Sequence, residues 1–124
     1  MVHDGARPFV SERLIREGVE KAMLYGAAVP VIKVNDTVKM LSDSGLIDGT
    51  VSRDRLRLAQ TPQVFRKDVL MAAYGAADVT DESSMVEAAG CRPMPFDGDP
   101  DNIKITTRED IERARLILLR RNGK

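Results

Sequence analysis

Asp4 and Arg7, three residues apart near the start of the chain, and Lys104 near its end are the side chains whose types suit chemistry on a phosphate. A carboxylate at a strand end can hold a divalent cation or accept hydrogen bonds from hydroxyls. Arg7 presents a planar fork that matches phosphate oxygens. Lys104 alternates with Ile103 and Ile105, so its ammonium must either be paired or reach a pocket, because burying it alone is costly. Two structural alternatives stand beside this reading. Asp4 and Arg7 could simply pair to fix a turn, and Asp101 could neutralise Lys104. His3, the one histidine, alternates with Asp4 and points to the opposite face, which favours a structural histidine over a ligand or base.

The chain contains no Walker A pattern, no zinc spacing and no Ser-His-Asp arrangement. Cys91 is the only cysteine, which excludes an internal disulfide framework and is best read as a packed thiol. Chemistry by the remaining residue types would be electrostatic. It would suit phosphoryl or nucleotidyl transfer, in which charge spread over oxygens must be stabilised.

The 19 Lys and Arg residues balance 19 Asp and Glu, so no global field steers the chain toward nucleic acid or an anionic membrane. With three Phe, two Tyr and no Trp, stacking platforms for single-stranded nucleic acid are not expected. The longest apolar runs fall far short of a membrane span, and the default expectation is a soluble cytoplasmic protein. A length of 124 residues allows one domain with a modest core.

Val2–Asp4 and Asn102–Thr106 read as buried strands ending on charged residues, where open α/β sheets carry their chemistry. Ser11 and Glu12 open a helix whose apolar face is Leu14, Ile15, Gly18, Val19, Ala22 and Met23, and Gly26 stops it. Residues 27–34 form an apolar strand that Pro30 makes irregular. Thr37–Leu41 and Leu46–Val51 flank Ser42-Asp43-Ser44-Gly45, the composition of a hairpin. Two strands alone are marginal in water, so this hairpin is expected to project as an arm and pack on a partner subunit. Arg53–Leu58 is ambiguous, and Thr61-Pro62-Gln63 forces an extended or turn conformation. Helices are expected over residues 66–77 and from a cap at Thr80 or Asp81 to Gly90. A strand follows over residues 91–96, then a turn at Asp97–Pro100. A final helix opens on the capping box of Thr107 and Asp110, with Ile111, Ala114 and Leu118 inward. Strands alternating with helices indicate an α/β layer fold.

Five segments give these residues a family context. They are residues 2–9 (Val-His-Asp-Gly-Ala-Arg-Pro-Phe), 36–39 (Asp-Thr-Val-Lys), 59–65 (Ala-Gln-Thr-Pro-Gln-Val-Phe), 80–87 (Thr-Asp-Glu-Ser-Ser-Met-Val-Glu) and 102–107 (Asn-Ile-Lys-Ile-Thr-Thr). In this order they resemble 2-C-methyl-D-erythritol 4-phosphate cytidylyltransferases of non-mevalonate isoprenoid synthesis. The resemblance covers residues 1–124 as the carboxyl-terminal half of such a domain. It implies a partial doubly wound, Rossmann-like nucleotidyltransferase sheet with a dimerisation arm at about residues 34–58. Ribitol-phosphate cytidylyltransferases share the first and last segments.

The resemblance further implies CTP and methylerythritol phosphate as substrates, Mg²⁺ as cofactor, and a homodimer joined through the arm, with no nucleic acid or membrane involved. Asp4 and Arg7 would sit by the substrate phosphates, with Asp4 the candidate metal ligand. Thr61 would line the substrate pocket. Thr37 and Arg53 would reach the phosphate bound by the neighbouring subunit; Lys104 and Arg53 would be the catalytic residues, with Lys104 stabilising the transition state. Gly5 stands where the family usually has Ala. The family's amino-terminal glycine-rich segment has no counterpart in these residues, so the expectation is an inactive fragment. A sugar-phosphate-binding, arm-exchanged dimer module without catalysis and a ribitol-phosphate cytidylyltransferase are the alternatives.

Overall fold

A computed structural model of the chain describes residues 1–74 and 81–123. The first helix, α1 (Glu12–Tyr25), begins where Ser11 accepts the Leu14 N–H on its side-chain oxygen. It ends at Gly26, whose φ of 89° lies in the left-handed region that favours glycine. Leu14, Gly18 and Ala22 are its buried residues. Gly18 is where the helix meets the sheet: a Cβ there would stand 2.9 Å from Val64 Cγ2 and 3.2 Å from Phe96 Cζ.

The central strand is β1 (Ala27–Lys33). The hairpin is β2 (Val38–Leu41) with β3 (Ile47–Val51), antiparallel and forming a two-stranded sheet of its own. A short 3₁₀ turn at Arg53–Arg55 leads to β4 (Arg57–Ala59) and β5 (Val64–Phe65). Two short helices follow, α2 (Lys67–Ala73) and α3 (Glu82–Ala88), then β6 (Met94–Asp97) and the last helix, α4 (Arg108–Asn122). The expected ends of the second helix at residues 75–77, and Thr80 as a cap, lie outside the described residues. Asp81 caps α3, accepting the Ser84 N–H at 2.8 Å.

β1 pairs in parallel with β6 along one edge and antiparallel with β4 and β5 on the other. Val31–Lys33 match β4, Ala27 and Ala28 match β5, and the chain between these two partners loops away at residues 60–63. Pro30 faces that gap. Its carbonyl accepts the Gln60 N–H at 2.8 Å, so its missing donor falls where the ladder is already broken.

The alternation of β1 splits the core. Ala28 packs with Leu14, Ala22, Val64 and Phe96 on the α1 side. Ala27 packs with Phe65, Ala73, Met85 and Val86 on the α2–α3 side, where half-buried Cys91 also packs. A third cluster of Phe9, Ile103, Ala114 and Ile117 seats α4. The fold is therefore layered α/β with a hairpin, as expected.

Two expected strands are not strands. Val2 makes one antiparallel bridge, exchanging 2.9 Å hydrogen bonds with Gln63, and residues 3–7 then turn. Residues 102–106 run extended without a ladder. Ile105 N–H reaches the Ala6 carbonyl at 2.8 Å, and Ile103 and Ile105 pack into the α4 cluster instead of onto a sheet. The α4 face also differs. Ala114 and Ile117 are buried while Ile111 and Leu118 are 45% and 48% exposed. The helical period admits both faces, and the neighbours Phe9 and Ile103 select one.

Candidate functional site

The chain turns tightly after its bridge at Val2. Arg7 N–H donates to the Asp4 carbonyl at 3.0 Å, which brings both side chains to one place. Arg7 Nε–H then donates to Asp4 Oδ2 at 3.2 Å, and Arg7 Nη1–H donates to the Asn102 carbonyl at 2.7 Å. That second bond ties the beginning of the chain to residues 102–106. It sets Lys104, whose Nζ lies 3.3 Å from the same Asp4 Oδ2. The alternative partner, Asp101, is taken by Arg120 at 2.8 Å. Burial raises the Asp4 pKa, but hydrogen bonds from Arg7 and Lys104, and their charges, more than reverse this and hold it below its ordinary value.

Asp4, Arg7, Lys104 and Thr61 line one open cavity of about 580 Å³, together with Val2, Ala59, Gln60, Gln63, Tyr74, Asp81, Glu82 and Met85. Thr61 Oγ1 accepts the Asp4 N–H at 3.0 Å and lies 2.9 Å from His3 Nδ1. His3 Nε2 lies 3.0 Å from the Arg7 carbonyl, so the histidine braces this turn.

Thr37 and Arg53 do not line this cavity within one chain. Thr37 is exposed just before β2. Arg53 donates to the Asn35 carbonyl and lines a separate basic recess of about 400 Å³ with Lys33, Asp54 and Arg57 at the root of the hairpin.

The sequence singled out Asp81 only as a helix cap and gave no role to Gln60, Gln63 or Asn102. Gln60 and Gln63 are 4% and 2% exposed, and Asn102 is fully buried. Gln60 clasps Asp99 through both ends of its amide, at 2.8 and 3.0 Å. Gln63 donates to Asp81 Oδ2 at 2.9 Å and accepts the Ser83 N–H at 3.0 Å, fixing the start of α3 against β5. Asn102 Nδ2–H donates to the Thr61 carbonyl at 2.7 Å. The available signal was amides standing beside apolar strand residues, where burial demands hydrogen bonds.

The floor of the cavity is thus a carboxylate under two cations, with a hydroxyl beside it and a frame of buried amides. This arrangement can bind a phosphate and orient a hydroxyl-bearing body next to it. No group of three or more His, Cys, Asp or Glu among the described residues is placed to hold a metal alone. Asp4 Oδ1, which no described residue engages, is an oxygen donor of the kind a magnesium ion would take.

The sequence pattern of IspD, 2-C-methyl-D-erythritol 4-phosphate cytidylyltransferase, matches residues 1–120. The chain belongs to that family. The IspD of Clostridium novyi is 41% identical over 123 residues, covering 95% of this chain and 53% of its own length. A bifunctional IspD/IspF enzyme of Bradyrhizobium diazoefficiens is 45% identical over 124 residues, covering 94% of this chain and 31% of its own. The crystal structure of the Thermus thermophilus IspD superposes with a TM-score of 0.82 at 35% identity, over 94% of this chain and 59% of that one. The chain therefore spans about half the length of its single-function IspD relatives and a third of the bifunctional one. No helix among the described residues is long and apolar enough to cross a membrane.

Proposed function

We propose that this chain carries the sugar-phosphate side of an IspD-type cytidylyltransferase site, joining CTP and 2-C-methyl-D-erythritol 4-phosphate and releasing pyrophosphate. The observation that carries the reading is the meeting of Arg7 and Lys104 on Asp4 at the cavity floor. A phosphate oxygen of the sugar alcohol attacks the α-phosphorus of CTP. A new phosphorus–oxygen bond forms there, and the bond to the departing pyrophosphate breaks. The nucleophile is already anionic, so no general base is required. Lys104, half exposed and paired among the described residues with Asp4, can offset charge growing on the phosphorus. Magnesium, when bound, neutralises phosphate charge, and Asp4 is the residue here that would share in holding it.

Thr37 and Arg53 act in this reading from the arm of a second subunit, and neither lines the Asp4 cavity of its own chain. The arm's Met40, Leu41, Leu46 and Ile47 are all more than half exposed, which suits burial against that subunit.

Calorimetric titration with methylerythritol phosphate, then with CTP and Mg²⁺, tests the proposal. Binding of the sugar phosphate that falls at least about tenfold in Lys104→Met supports it, as expected for a charge-assisted contact. Binding of the sugar phosphate with no affinity for CTP would favour a non-catalytic module. Absence of binding, or indifference to Lys104→Met, would sink the site assignment.

A further inference from the structure

His3 is engaged at both ring nitrogens, and the two bonds together decide how Thr61 can speak to a ligand. Nε2 lies 3.0 Å from the Arg7 carbonyl. A carbonyl only accepts, so Nε2 carries the proton. In the neutral ring Nδ1 is then a bare lone pair, and the Thr61 hydroxyl 2.9 Å away must donate to it. The same oxygen accepts the Asp4 N–H at 3.0 Å. Thr61 has one hydroxyl proton and two lone pairs. The proton is committed to His3 and one pair to Asp4, which leaves one lone pair. The Thr61 main chain is held as well, its carbonyl accepting from Asn102 Nδ2–H at 2.7 Å.

We infer that His3 sets the polarity of the Thr61 hydroxyl, making Thr61 an acceptor toward the cavity and therefore a reader of ligand hydroxyls and not of phosphate oxygens. The inference rests on the reading of this cavity as a sugar-alcohol phosphate site. It divides the labour there: Lys104 and Arg7 attract the phosphate, while Thr61 receives a hydroxyl donor from the carbon chain. An unlocked threonine would rotate to suit either group. The locked one leaves a phosphate oxygen placed against it with two acceptors facing each other, which is repulsive and helps set the ligand's direction. His3 touches no ligand in this scheme and is a positioning residue.

Because the sequence has one histidine, its ring nitrogens give one unambiguous pair of resonances in a long-range proton–nitrogen spectrum of ¹⁵N-labelled protein. In mildly alkaline buffer the free chain is expected to show the Nε2–H tautomer. Thr61→Val should move the Nδ1 resonance by removing its donor, and Thr61→Ser should restore it. An Nδ1–H tautomer, or an Nδ1 resonance indifferent to Thr61→Val, would overturn the inference without reference to any ligand.

The second arm measures affinity for methylerythritol phosphate beside affinity for inorganic phosphate. His3→Leu should weaken the sugar phosphate by about tenfold, and by several-fold more than it weakens phosphate, for the loss of one oriented hydrogen bond. His3→Asn offers an amide oxygen near the place of Nδ1 and should recover most of that loss. Equal losses in both variants, or parallel losses for both ligands, would reduce His3 to a structural brace and overturn the inference. Failure of the unaltered chain to bind methylerythritol phosphate would instead overturn the cavity's reading, while the nitrogen spectra still decide the His3–Thr61 polarity.

Discussion

Lys104 Nζ stands 3.3 Å from Asp4 Oδ2, so the two ends of the chain meet on one carboxylate oxygen. Arg7 reaches the same oxygen, and the two cations differ in depth: the Arg7 side chain is 12% exposed and that of Lys104 is 50%. The deeper guanidinium is part of the frame. The shallower ammonium can leave Asp4 for a phosphate without uncovering a buried charge, because water still reaches it.

Arg7→Lys separates frame from charge. The guanidinium bonds Asp4 with one nitrogen and the Asn102 carbonyl with another. An ammonium is a compact charge that cannot span both. We expect methylerythritol phosphate affinity to fall about tenfold and stability by about 1–3 kcal/mol. Calorimetry and urea unfolding read the two effects, and an Arg7→Lys of unchanged affinity and stability would show that positive charge alone suffices.

Acid should weaken the fold through Asp4 and Asp81, both of which titrate below the ordinary carboxylate value. Burial raises the pKa of Asp4, and hydrogen bonds from Arg7 and Lys104 bring it below the ordinary 3.8. Burial likewise raises Asp81, and Gln63, Ser84 and Ser83 bring it below the same value. A carboxylate with a depressed folded value contributes stability that is complete above its unfolded pKa and is lost as pH falls through the folded one. The urea midpoint should therefore decline as pH falls below 3.8, and Asp4→Asn should show a shallower decline across that window. Coincident slopes would mean that the Arg7 and Lys104 contacts do not persist in solution.

Gly18 and Gly5 make opposite predictions for the same substitution. At Gly18 a Cβ meets Val64 at 2.9 Å, whereas at Gly5 it meets nothing within 4 Å. Alanine gains about 1 kcal/mol of helix propensity at Gly18, but overpacking costs about 1–3 kcal/mol, so Gly18→Ala should destabilise by roughly 1 kcal/mol. Gly5→Ala should be neutral or stabilising by up to about 1 kcal/mol through the unfolded chain. Thermal unfolding compares the two, and a stabilised Gly18→Ala would show that α1 can lift from the sheet.

The arm can be tested apart from the site. Its strands β2 and β3 form a sheet of their own, so charges placed there should spare the body of the protein. Light scattering is expected to give a dimer for the unaltered chain and a monomer for Leu46→Glu with Ile47→Glu, with far-ultraviolet dichroism little changed. A monomeric unaltered chain would contradict exchange of arms.

What the sequence alone determined here is what neighbours along the chain decide. Ser11 and Gly26 bound α1, the Thr107–Asp110 box starts α4, and residues 42–46 close the hairpin, because caps and turns are satisfied within a few residues. Five short segments in order also pointed to the family. The alternation of Ile103, Lys104 and Ile105 showed which side chains turn inward, yet could not show that a helix rather than a strand receives them. Nor could it choose Asp4 over Asp101 as the partner of Lys104, pick Ala114 and Ile117 as the buried face of α4, or reveal Gln60, Gln63 and Asn102 as the frame. Those outcomes were settled by the tertiary structure, since each depends on which distant group arrives first at a buried polar atom or an apolar gap, and chain spacing carries no record of that competition.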